Sequence, residues 1–77
     1  MEWYKINPGS PYFYADKGTW SFKILETPDG YGFRVAIEEG VNRVINGVEF
    51  KTLPEAKAFC QEHLEGLVVK GLLKEVG

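Results

Sequence analysis

From Thr19 to Glu26 hydrophobic and polar positions alternate, with Trp20, Phe22 and Ile24 on one face and Thr19, Ser21 and Lys23 on the other. Tyr31 to Glu38 repeats the pattern through Tyr31, Phe33, Val35 and Ile37. A period of two marks a strand with one buried face. Tyr12-Phe13-Tyr14-Ala15 is aromatic enough for another strand, and Asp16-Lys17-Gly18 reads as the hairpin loop that follows it. Met1 to Ile6 is a short strand or an arm, cut off by the turn formers Asn7-Pro8-Gly9-Ser10-Pro11.

At Thr52 the period changes. Thr52 and Glu55 form a capping box: the hydroxyl accepts from the Glu55 amide, and the Glu55 side chain reaches back to the amide of Thr52. Pro54 falls in the first turn, where a missing N–H costs nothing. Leu53, Ala56, Phe59, Cys60, His63, Leu64 and Leu67 then recur at helical spacing, while Glu55, Ala58, Glu62 and Glu65 lie away from them. One amphipathic helix needs a sheet to bury its stripe. The pattern therefore predicts a single α+β domain: an antiparallel three- to four-stranded β-meander over residues 1–51, packed on one C-terminal α-helix over 52–65.

Past Glu65 the apolar positions Val68, Val69, Leu72, Leu73 and Val76 keep a helical spacing but move to nearly the opposite side, with Gly66 at the change of phase. Residues 66–77 read as an apolar tail, either further helix or a docking segment. The repeat of Val68, Leu72 and Val76 makes the tail a candidate contact, with its own copy in a homodimer or with another protein.

Two connections set the strand register. A three-residue loop at Pro28-Asp29-Gly30 would pair Leu25 with Phe33 and Lys23 with Val35. A four-residue loop, Thr27-Pro28-Asp29-Gly30, pairs Ile24 with Phe33, Phe22 with Val35 and Trp20 with Ile37. A slip of one residue turns a whole hydrophobic set to the wrong face, so the four-residue loop is expected. In that register Lys23 and Arg34 sit directly opposite each other on the free face. Like charges there are destabilising, and either they splay into water, Glu49 offsets them, or an anion binds. Treated alike, Glu39-Gly40-Val41-Asn42 pairs Glu38 with Arg43, Ile37 with Val44, Phe33 with Val48 and Tyr31 with Phe50, with Asn46-Gly47 forming either a bulge or an extra tight hairpin.

Composition narrows the class. With 44% hydrophobic and 14% aromatic residues, the 77-residue chain carries enough apolar surface for a core. One cysteine rules out an internal disulfide, and one histidine beside it cannot complete a zinc site, so no cofactor is expected. Nine basic and eleven acidic residues give a net charge of −2, which predicts no strong non-specific attraction to nucleic acid. No basic leader and no apolar run of membrane-spanning length is present, which points to a cytoplasmic protein with no membrane partner.

A tryptophan near the start, Tyr14-Ala15, the strand Gly18-x-Trp20-x-Phe22-x-Ile24, Gly32-Phe33, and Phe50-x-Thr52-Leu53-x-Glu55-Ala56-Lys57-Ala58 ending at His63 resemble small phage and prophage-type proteins. These are short β-meander-plus-helix polypeptides, commonly without an assigned activity. The resemblance covers most of residues 3 to 64 and consists of caps, core aromatics and turns. It implies a mobile-element setting and carries no catalytic residue over. Pro54, in place of the common Glu or Lys, and the long apolar tail depart from the pattern. A second likeness is to the three-stranded-sheet-plus-helix DNA-binding arm of tyrosine integrases, which implies a basic sheet face. Here the face away from the helix would carry Lys23, Arg34, Arg43 and Lys51, diluted by Glu38 and Glu49.

Candidate chemistry adds little. Cys60 and His63, three apart on the helix, are close enough to form a nucleophile and its base. Both lie on the core-facing stripe without a third orienting group, so a buried thiol beside a boundary histidine is the better reading. Glu38 and Glu39 point to opposite faces and are no carboxylate pair. The sequence thus predicts a non-catalytic phage-type accessory protein that binds another protein, inhibition of a host or defence factor being one form of this. The alternative is a small nucleic-acid-binding module using the sheet face away from the helix.

Overall fold

Strand pairing follows the alternation. In the computed structural model, which describes residues 1–27, 29–30 and 32–71, β1 (Tyr12–Lys17), β2 (Trp20–Glu26), β3 (Phe33–Glu39) and β4 (Asn42–Phe50) form one antiparallel sheet in the order β1-β2-β3-β4. The helix α1 (Leu53–Val69) packs across β2, β3 and β4, giving the expected α+β architecture with four strands. Ala15, Trp20, Phe22, Ile24, Val35 and Ile37 of the sheet are buried against Ala56, Cys60, Leu64 and Leu67 of the helix. The Phe50 and Phe59 rings, 5.2 Å apart, close one end of this layer. No helix among the described residues is long and apolar enough to cross a membrane.

Two turns are tighter than the sequence suggested. Asp16 and Lys17 belong to β1, and Lys17 pairs with Trp20 across a two-residue turn, Gly18-Thr19. Glu39 likewise pairs with Asn42 across Gly40-Val41. In both, a glycine with φ near 60° occupies the first central position (59° and 58°), the type II′ arrangement whose twist matches the strands it joins.

The β2–β3 register differs from the expected one by two residues. Ile24 pairs with Val35 and Phe22 with Ile37, so Lys23 faces Ala36 and Arg34 faces Leu25. The expected opposition of Lys23 and Arg34 does not occur. A shift of two keeps every side chain on its face, so the hydrophobic pattern cannot tell these registers apart. Thr27 decides between them: its amide donates to the Gly32 carbonyl (3.0 Å), and its hydroxyl accepts from the Gly32 amide (3.2 Å) and lies 2.6 Å from Asp29 Oδ1. The ladder therefore extends one residue beyond β2 on each side before the chain turns.

Between β3 and β4, Glu38 pairs with Arg43 as expected, but two bulges intervene along the strand. One is at Gly47 (φ +90°), within the predicted Asn46-Gly47 step; the other is at Val44. Ile37 consequently meets Ile45 rather than Val44, and Phe33 meets Phe50 rather than Val48. Val44 is left 47% exposed. Two single-residue bulges sum to a shift of two, which returns Val48 and Phe50 to the apolar side.

Thr52 caps α1, its hydroxyl accepting from the Glu55 amide at 3.3 Å. The Glu55 carboxylate accepts a hydrogen bond from the Thr52 hydroxyl (2.8 Å) instead of from the Thr52 amide. Of the outcomes open at Gly66, the helix continues: it runs to Val69, and Gly71 (φ +74°) then donates to the Val68 carbonyl. Gly66 lies inside the last turns, with open space where a Cβ would stand. Gly66→Ala should therefore raise stability by about 0.5–1 kcal/mol, because alanine loses less backbone entropy in a helix. Urea denaturation followed by circular dichroism measures this directly.

Candidate binding face

The face of the sheet turned away from α1 is set by strand parity. Tyr12 and Tyr14 of β1, Lys23 and Leu25 of β2, and Arg34, Ala36 and Glu38 of β3 alternate with the buried positions. Arg43 enters from β4, opposite Glu38. Lys23, Arg34 and Arg43, the three cations singled out from the sequence, all line one shallow trough of about 270 Å³ on this face. Its floor is Ala36, and Tyr12 and Leu25 form its apolar side.

The charges are ordered within the trough. Lys23 Nζ lies 2.7 Å from Glu38 Oε1, a diagonal pair made possible by the observed register. Arg34 Nη2 lies 2.8 Å from Glu49 Oε1, directly across the β3–β4 ladder. The Lys23 hydrogen bond and charge hold the Glu38 carboxyl below its ordinary range, with a smaller contribution from Arg43. Arg43 itself makes no hydrogen bond or close ion pair among the described residues, although it faces Glu38 in register. A second hollow, about 400 Å³, lies beside the Thr27–Gly32 connection; there Arg34 and Lys51 are set against Asp29 and Glu49.

A row of tyrosines borders the trough, and the sequence reading missed it. The N-terminal arm pairs with β1 through Tyr4 and Tyr14, with backbone hydrogen bonds of 2.8 and 2.9 Å. The Tyr4 and Tyr14 rings stack at 5.7 Å, and the Tyr14 and Tyr12 rings at 5.8 Å. Tyr4 donates its hydroxyl proton to Asp16 Oδ2 at 2.8 Å, which raises the phenol's pKa. The spacing of Tyr12 and Tyr14 around Phe13 was the available signal, since residues two apart share a strand face.

The other candidates fall elsewhere. Val68 is half-buried and Val69 is 86% exposed at the end of α1, whereas Leu72 and Val76 lie outside the described residues. Cys60 is wholly buried, and desolvation pushes its thiol up to about 12, so it stays protonated at neutral pH and offers no nucleophile. His63 lies against Trp20 and Phe22, ring centroids 5.9 and 6.5 Å away, and its Nε2 is buried without a hydrogen-bond partner. Among the described residues no three of His, Cys, Asp and Glu are grouped to hold a metal ion.

Burial, aided by Lys70, lowers the His63 pKa below the ordinary value of 6.5. The unfolded chain therefore binds a proton more readily than the folded one, and stability falls as pH drops from about 6.5 through the lowered value. Unfolding midpoints across this range should decline for the wild type and stay flatter for His63→Phe. The Glu38 contribution is lost only from about 4.5 downward, through its lowered value, which separates the two effects.

Protein-family models, curated proteins and solved structures yield no match to this chain. The functional reading accordingly rests on the face just described and on the residues quoted for the resemblance.

Proposed function

We propose that this chain is a non-catalytic accessory protein of the phage type that acts in the host cytoplasm by binding another protein, in the manner of an inhibitor that occludes its target. The observation that carries the reading is the internal pairing of the free face: Lys23 with Glu38 and Arg34 with Glu49. A nucleic-acid groove needs several cations free to replace counterions on phosphates. Here two of the three are occupied by carboxylates that would also repel a phosphate backbone. A mixed-charge face flanked by tyrosines is instead suited to a protein surface, where aromatic anchors contribute most of the affinity.

The apolar tail, residues 66–77, is proposed as a second contact, through which two copies pair. Sedimentation of the full chain at rising concentration should show a dimer, and a strictly monomeric chain would remove that contact. For the main reading, the chain should retain a defined host protein on an affinity column, and Tyr12→Ser/Arg43→Glu should release it. Electrophoretic shift of DNA or RNA that persists at moderate salt would favour the nucleic-acid alternative.

A further inference from the structure

The trough is lined by three cations and one carboxylate, Glu38, while Glu49 pairs with Arg34 from outside that lining. Lys23 and Arg34 are spoken for at 2.7 and 2.8 Å, and Glu38, the residue opposite Arg43, has one of its two oxygens, Oε1, engaged by Lys23. Arg43 is left with a planar fork of donors and only longer-range attraction to Glu38. The same trough offers apolar surfaces, Ala36, Leu25 and Tyr12. The hydroxyls of Tyr12 and Tyr14 make no hydrogen bond within the described residues, whereas Tyr4 is tied to Asp16.

We propose that this trough seats one aspartate or glutamate side chain of the protein partner, carried on an extended segment, with its carboxylate held by Arg43 and its flanking residues lying against the Tyr12–Tyr14 ridge. This rests on the protein-binding reading above and names the chemistry of the partner. A carboxylate fits better than a phosphate for three reasons. A single unengaged cation matches a single negative charge. Glu38 in the trough, and Glu49 where it pairs with Arg34, would oppose a dianion. The hydrocarbon stem of an acidic side chain finds Leu25 and Ala36, whereas a bare phosphate has no use for them. The stacked tyrosines, their rings 5.7–5.8 Å apart, add rigid contact area.

The test uses a bead-displayed library of random dodecapeptides, selected on the immobilised full chain. Enriched peptides should share an Asp or Glu beside an aromatic or aliphatic residue. Their dissociation constants should rise about tenfold or more with Arg43→Gln and with Tyr12→Ala, and stay unchanged with Lys57→Gln, which removes an equal charge on α1, outside the trough. Circular dichroism of each variant confirms that it folds. Peptides without an acidic position, or acidic peptides indifferent to Arg43→Gln, overturn the seat while leaving the protein-binding reading intact. Displacement of the peptides by an oligonucleotide at moderate salt overturns both. Failure of the full chain to enrich any peptide overturns the seat, and the affinity column then decides the broader reading by itself.

Discussion

Phe22→Ala should leave the protein largely unfolded at room temperature. Phe22 is completely buried, sandwiched in the ladder between Ala15 and Ile37 and covered by α1, with the His63 ring at its edge. Removing a fully buried phenylalanine costs about 3–5 kcal/mol in lost transfer energy and residual cavity. A domain of this size has a total stability near the low end of about 5–15 kcal/mol, so the loss consumes most of it. Phe22→Leu keeps most of the volume and should remain folded, with a loss of about 1–2 kcal/mol. Urea titration of the three proteins orders them. An alanine variant with the wild-type midpoint would mean that the helix does not cover this part of the sheet.

Gly32→Ala should destabilise by about 1–3 kcal/mol, the cost of overpacking a site that cannot relax. A Cβ at Gly32 would stand 2.9 Å from the Phe50 carbonyl oxygen, closer than such atoms approach. The neighbour is backbone of β4, and no side-chain rotation can relieve the overlap. Retreat in the other direction is blocked as well, because Thr27 grips Gly32 through both its backbone and its hydroxyl. The same substitution at Gly66 has the opposite sign. The pair of variants thus tests local crowding against helix propensity, and a Gly32→Ala protein as stable as Gly66→Ala would refute the close approach of β4.

The candidate face was partly visible in the sequence. Strand parity alone brings Lys23, Arg34 and Arg43 to one side, and the structure places all three in one trough. Parity also places Tyr12 with Tyr14, but a short aromatic run reads first as a strand former, and the stacking partner Tyr4 arrives from the arm. What parity could not supply is which cation each carboxylate engages. That depends on register to the residue: with Lys23 opposite Ala36, its ammonium reaches Glu38 on the diagonal and leaves Arg43 unengaged. In the expected register the conflict lay between Lys23 and Arg34; the observed register removes it, with Glu49 offsetting Arg34 and Glu38 offsetting Lys23.

Local chemistry sufficed for the elements themselves. Alternation at Trp20, Phe22, Ile24 and at Phe33, Val35, Ile37 marks β2 and β3, and Thr52, Glu55 and Pro54 mark the start of α1, since these signals act within a few residues of chain. The stripe from Leu53 to Leu67 likewise identifies the buried side of the helix. Tertiary structure decided the rest. Registers that differ by two residues present identical faces to the core, so only Thr27 clasping Gly32 could choose between them for β2 and β3. Only the fit of β4 against β3 could add the bulge at Val44 to the one at Gly47, because a single bulge would have turned half of that strand's apolar residues to water.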